Sequence, residues 1–168
     1  MQFMCLHCGR CCDKILRNEY GITVGIYLRP SEKRLFKQFP DAVVPYVGVA
    51  KKGDNKPRRV VCYQVAVEPC PLYDKVTKTC IRYDSRPIAC RAYPFGLQGG
   101  RMSIESSCKW FGEHELEYGK TRVDVVEDMK NAFKINQDFR RYASTYSNLP
   151  IVMIFDIKEK EWVKIVND

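Results

Sequence analysis

Cysteine crowds this chain, and its placement constrains the fold more than any other feature. The run Cys5-Leu6-His7-Cys8-Gly9-Arg10-Cys11-Cys12 holds four of the nine cysteines. A C-x2-C pair sets two thiolates on one tight turn, so both can face one ion at little loop-closure cost. Cys5, Cys8 and Cys11 extend that spacing to three, a spacing found in cluster-binding sequences. Gly9 lets the turn reach positive φ. Three thiolates leave a tetrahedral ion or a four-iron cluster short of ligands, so at least one more must come from elsewhere in the chain. Cys12 adjoins Cys11, and adjacent side chains diverge in a helix or a strand. The two are therefore expected to serve different metals, or one is a spare.

The remaining cysteines are Cys62, Cys70, Cys80, Cys90 and Cys108. Cys70, Cys80 and Cys90 are interleaved with Pro71, Pro87 and Pro94, whose fixed φ lowers the entropy of the unfolded loop and helps hold ligands in place. Arg86 and Arg91 flank Cys90 and Lys109 follows Cys108, and cationic neighbours favour thiolate over thiol. Exported proteins use cysteine at this density for disulfides, whereas a reducing cytosol keeps thiols free. Met1-Gln2-Phe3-Met4-Cys5 has neither a basic leader nor an apolar signal core. No apolar stretch approaches the roughly 20 residues that span a bilayer. A cytoplasmic protein without membrane contact is expected, and there clustered thiolates are metal ligands or catalysts.

The order of these residues resembles the YkgJ-type (CxxCxxCC) cysteine cluster family, a zinc- or iron-chelating domain. The matching positions are C-x2-C-x2-C-C, then Cys70-Pro71-Leu72-Tyr73, then Cys80-x2-Tyr83-x2-Arg86-Pro87-x2-Cys90-Arg91-x-Tyr93-Pro94-Phe95, then Cys108. The resemblance implies eight metal ligands: Cys5, Cys8, Cys11, Cys12, Cys70, Cys80, Cys90 and Cys108. Cys62 lies outside the pattern and reads as a buried strand thiol. Eight thiolates could form two four-sulfur zinc sites, or one four-iron cluster with four cysteines left over. Zinc favours paired C-x2-C knuckles, and only the N-terminal group supplies short pairs. A cluster tolerates three close ligands and one remote, so an iron–sulfur cluster of 4Fe-4S type is the expected cofactor, with zinc the alternative. Cys5, Cys8, Cys11 and Cys90 are its expected ligands. A related motif occurs in a flagellin lysine methylase, which also points toward iron. That link is an analogy, because this chain has no glycine-rich cofactor loop after a strand.

Hydrophobic residues at 45% and charged residues at 29% describe a globular chain, and 168 residues suit a single domain over 1–168. Within it, residues 3–109 form the cysteine-cluster region and 110–168 a helix plus a terminal hairpin. Ile22, Val24, Ile26 and Leu28 alternate with Thr23, Gly25 and Tyr27, the period of a strand. Ser31 is placed to N-cap a short helix carrying Leu35, Phe36 and Phe39. Residues 42–50 are Val-rich, but Pro45 points to an edge or irregular strand. The turn from Lys51 to Arg59 leads into a strand at 60–67, giving a hairpin with a basic tip. Residues 68–109 show little periodicity, so a metal is expected to order them. Val126, Met129, Phe133, Ile135, Phe139, Tyr142 and Tyr146 predict a helix over 122–147. Residues 151–157 and 162–166 predict a closing hairpin. The expected fold is α+β: a small antiparallel sheet, irregular metal-bound loops and a long C-terminal helix.

Three functions fit this reading. One is a metal-binding module for electron transfer, metal handling or partner recognition, with a protein partner. Another is an enzyme using an open iron site. The third is a zinc-stabilised nucleic-acid binder gripping phosphates with Lys51, Lys52, Lys56, Arg58 and Arg59, which the net charge of +8 would suit. Hairpin tips are also charged for solubility and edge protection. Neither histidine has an acid–base partner at a telling spacing, and no glycine-rich loop is placed for a nucleotide. His7 could ligate through nitrogen. His114, with Glu113, Glu115 and Glu117, could hold a hard metal or simply start a helix. Tyr83 and Arg86 read as scaffolding over the centre or as a substrate contact beside it.

Overall fold

Most elements are short, and the one long helix comes late in the chain. The computed structural model describes residues 5–98, 101–105, 107–114 and 126–165. Helix α1 (Arg10–Asp13) precedes strands β1 (Arg17–Glu19), β2 (Ile22–Val24) and β3 (Ile26–Leu28). A 3-10 turn at Pro30–Phe36 leads to β4 (Val43–Ala50) and β5 (Arg59–Val65). There follow β6 (Tyr73–Asp74), β7 (Thr79–Cys80), α2 (Ile88–Ala92), β8 (Phe95–Gln98) and β9 (Arg101–Ile104). The chain closes with α3 (Lys109–Glu113), α4 (Val126–Thr145), β10 (Ile151–Asp156) and β11 (Glu161–Ile165). The class is α+β, as the residue pattern predicts. No described helix is long and apolar enough to cross a membrane.

Five strands make one antiparallel sheet in the order β11-β10-β4-β5-β3, and β1–β2, β6–β7 and β8–β9 are separate two-stranded ribbons. The segment 22–28, expected as one strand, is two. Gly25 divides it, because a Cβ there would collide with the carbonyl oxygen of Val65. β2 therefore pairs with β1 while β3 joins β5. Of the two alternatives expected from Pro45, an edge or an irregular strand, β4 is the second: it is central and irregular. Its ladder shifts register between Pro45 and Val47, and such a bulge accommodates a residue without an N–H. Gln64, fully buried, mends the defect. Its Nε2 donates to the carbonyls of Pro45 and Phe155, both at 2.9 Å, and its Oε1 accepts from Gly25 N at 2.8 Å.

Helix α4 packs against the sheet through Ile135, Phe139, Tyr142 and Tyr146, next to a core that includes Tyr27, Tyr46, Val47 and Cys62. Phe133 departs from the predicted stripe. It is exposed, and Ala132 is buried instead. Asp138 fastens the helix to β3. Buried itself, it accepts from Arg29 Nε at 2.6 Å and from the Tyr27 hydroxyl at 3.1 Å. Such charge-assisted bonds offset the cost of burying the carboxylate. The predicted helix start at 122–125 and the end of the terminal hairpin at Val166 lie outside the described residues.

Ser31 does not cap the 3-10 turn at Pro30–Phe36. Arg29 is the cap residue, and Glu32 closes the turn by accepting from Arg29 N at 2.9 Å. The other carboxylate oxygen of Glu32 accepts from Ile88 N at 2.7 Å, so one side chain joins this turn to α2.

Candidate metal centre

The N-terminal turn starts at Gly9, whose φ is 73°. Its carbonyl accepts from Cys12 N and Asp13 N, both at 2.9 Å, winding Cys11 and Cys12 into α1. Gly9 also lies against the Tyr73 ring, where a Cβ would collide, so two separate demands select glycine. Three ties bring the distant cysteines to this turn. Cys70 N donates to Cys12 O at 2.8 Å, joining the middle of the chain backbone to backbone. Tyr73 pairs with Cys80 across β6–β7. Arg10 Nη1 donates to Ser107 O at 3.1 Å, holding the loop that carries Cys108. Cys90 sits within α2.

Cys5, Cys8, Cys11, Cys12, Cys70, Cys80, Cys90 and Cys108 all line one cavity of about 300 Å³. Cysteines separated by up to the whole span from Cys5 to Cys108 thus share a wall. Cys62 is apart from them, fully buried in β5, where burial pushes its thiol up to about 12. That agrees with its reading as a strand thiol. All nine are free thiols.

A family model described as "Putative zinc- or iron-chelating domain" (CxxCxxCC) matches residues 4–113. The chain belongs to the CxxCxxCC family. It is similar to "Uncharacterized protein MJ0661" of Methanocaldococcus jannaschii, at 26% identity over 113 residues. That match covers 65% of this chain and 54% of the relative, so the chain spans about half of that protein's length. No solved structure matches it.

The donor set of this CxxCxxCC domain suits a thiophilic metal: eight sulfur atoms, with the Asp128 carboxylate, the Arg86 guanidinium and the Lys78 amine also in the wall. Among the described residues no three Cys, His, Asp or Glu side chains are already arranged to hold one ion, so the thiols border a space. Their mutual influence divides them. Cys12 feels Cys11, Cys90 and Cys70, and Cys90 feels Cys70, Cys11 and Cys80. Cys108 feels Cys8 and Cys11. Cys11 is common to both sets. Its thiol touches that of Cys12, contrary to the expected divergence of neighbours, because the short α1 turn directs both side chains to one cavity.

That contact lowers the Cys11 thiol to about 7, against burial and with help from Arg86. The same hydrogen bond, with burial and nearby thiols, drives Cys12 far up. Burial raises Cys90 strongly and Cys70 to about 11. Cys108 is also raised by burial, partly countered by the amides of Phe111 and Trp110. Metal uptake by such thiols displaces protons.

Arg86 is the cation that reaches the thiols. It lies over the Tyr83 ring at 3.8 Å and donates from Nε to Tyr83 O at 2.9 Å. The Tyr83 hydroxyl meets Cys5. These contacts are of the kind a scaffolding role requires. The other expected cations are elsewhere: Arg91 is exposed, and Lys109 pairs with Glu113 at 3.2 Å. His7 stacks on Tyr83 at 4.5 Å, with Nδ1 3.2 Å from Thr79 Oγ1. His114 stacks on Trp110 at 4.2 Å, its Nδ1 2.7 Å from Trp110 O. Glu115 and Glu117 lie outside the described residues. Asp128, from the start of α4, also lines the cavity, and nothing in its local sequence marks it. Trp110, two residues after Cys108, could have been found from that proximity.

Proposed function

We propose that this domain holds a thiolate-bound iron–sulfur cluster, of 4Fe-4S type, and acts as a metal-binding module that serves a partner protein. The observation that carries the reading is the single cavity of about 300 Å³ bordered by all eight thiols. A lone zinc ion draws four sulfurs to about 2.3 Å of one point. A polynuclear core instead fills a space and takes its ligands at the edges, which suits thiols that border a cavity. Cys5, Cys8 and Cys11 supply three ligands, and Cys90 or Cys108 the fourth, since Cys11 is among the thiols that raise both. When bound, such a centre supplies one-electron chemistry or a Lewis-acidic iron. Arg86 offsets its negative charge, and Tyr83 covers Cys5.

A second reading has its own support. Cys70 and Cys90 both feel Cys80, and Cys12 feels Cys70 and Cys90, which leaves Cys5, Cys8, Cys11 and Cys108 as another four, with Cys11 acting on members of both. Two four-sulfur zinc sites would use all eight thiols. One experiment separates the two readings. Protein purified without oxygen should be brown, with a broad visible band, iron and acid-labile sulfide. Colourless protein with stoichiometric zinc and no sulfide would replace the cluster by the zinc pair.

A module, not a free-standing catalyst, agrees with the state of the histidines, each engaged by a neighbouring ring and a hydrogen bond. The basic hairpin tip gives less support to phosphate binding than its composition suggests. Arg58 is held by Asp54 at 2.6 Å and Arg59 lies over the Tyr146 ring, leaving the lysines.

A further inference from the structure

A second cavity, of about 720 Å³, lies on the other side of the cysteine wall. It shares Cys11, Cys90 and Tyr93 with the metal cavity, so two side chains of the proposed centre face both spaces. Its volume falls within the roughly 300–1,000 Å³ of small-molecule sites. Its two ends differ in chemistry. The inner end is formed by Tyr27, Tyr46, Ile135 and Phe139, where α4 meets the sheet. Tyr46 is buried, and its ring meets Phe139 edge-on at 6.5 Å. The outer end carries Arg10, Lys14 and Arg17, all on the stretch from α1 to β1, against one lining carboxylate, Glu105.

Those three cations are only loosely committed. The side chain of Lys14 is 77% exposed and meets Glu68 at 3.9 Å, and that of Arg17 is 55% exposed and meets Glu19 at 3.4 Å. Arg10 gives one Nη to Ser107 O, and a guanidinium has further donors. A wholly structural space at the helix–sheet junction would close over its aromatics, and it would need no cationic mouth. We propose that this cavity binds an amphipathic anion, a carboxylate or phosphate monoester on an acyl or aryl chain. Its head lies at Arg10, Lys14 and Arg17, and its tail lies against Tyr46 and Phe139. The ligand reaches the back of Cys11 and Cys90 without touching the metal cavity. The binding claim stands on the cavity alone. Only its nearness to a metal rests on the reading above.

Calorimetric titration of the purified, metal-containing protein tests it, with decanoate and decyl phosphate as probes and decyltrimethylammonium as the cationic control. Saturable binding of either anion, and none of the cation, is expected. Whichever anion binds more tightly identifies the head group. Lys14→Glu with Arg17→Glu changes two exposed side chains and should weaken binding about tenfold or more. Ile135→Trp should fill the inner end and abolish binding. If neither anion binds, if the cation binds equally, or if the double reversal leaves affinity unchanged, the proposal fails. Its failure would leave colour, iron and sulfide content unchanged, and a colourless zinc protein that binds decanoate would retain the pocket while losing the cluster.

Discussion

The sheet with its long helix and the loops around the thiols hold together by different means. In the sheet, Val24, Cys62, Val65 and Met153 have no exposed surface, Gln64 joins three strands, and Asp138 pins the helix. Around the cavity, β6 and β7 have two residues each and α1, α2 and α3 no more than five. Isolated elements of that size do not persist in water. Their order comes from a handful of backbone ties and from small apolar clusters, Ile15, Phe36, Cys70 and Leu72 in one and Ala92, Phe95 and Ala132 in another. The sheet therefore stands on one large core and the thiol region on smaller ones, to which the proposed ligation would add cross-links.

The largest expected effect breaks the cysteine half alone. Replacing Cys8 or Cys90 by Ser, or stripping metal with a chelator, should open residues 68–109 to protease while α4 stays protected. Unchanged digestion and melting temperature in both variants would show that the loops need no ligand. Breaking the other half calls for the core. Met153→Ala should cost about 2–5 kcal/mol in denaturant unfolding, the range for a buried Met truncated to Ala. The folded fraction should keep its full metal content, since Met153 is not among the cavity residues. A finer probe is Asp138→Asn, which keeps shape and removes charge. It should cost about 1–3 kcal/mol through weakened bonds to Arg29 and Tyr27, with the visible spectrum unmoved. The smallest effect is expected from Arg58→Ala at the hairpin tip, where both partners of the ion pair face water. Its melting temperature should match the parent, and a clear drop would mean the tip supports β4 and β5.

Much of this division could be read before any coordinates. Val content located β4, and the apolar runs beside the basic turn and near the chain's end located β5 and β10, because buried strands are written as short apolar segments. The spacing of Cys5, Cys8 and Cys11 located one side of the cavity, because a tight turn is local. What escaped was long-range. Pro45 left β4 as an edge or an irregular strand, since nothing nearby reveals that Gln64 will satisfy its carbonyl. Gly25 looked like one member of a strand, since its close neighbour is Val65, forty residues on. The second set of thiols followed from resemblance, not from spacing, because Cys70, Cys80 and Cys90 are brought in by contacts such as Cys70 N to Cys12 O. Asp128 and the cavity behind Cys11 left no mark at all. They exist only where α4 docks.

The tie between Cys12 and Cys70, and that between Arg10 and Ser107, carry a consequence for how the protein is made. A ribosome delivers the N-terminal turn first and Cys108 much later. Through that interval Cys5, Cys8, Cys11 and Cys12 are together in sequence while the residues that fix their turn, and their proposed co-ligands, have not been synthesised. A metal captured then would meet an incomplete set of ligands, open to water and to other thiols. On the proposed ligand set, loading follows the arrival of the fourth ligand, Cys90 or Cys108, which would make maturation of the centre a late event, paced by chain elongation and dependent on thiols kept reduced until that point.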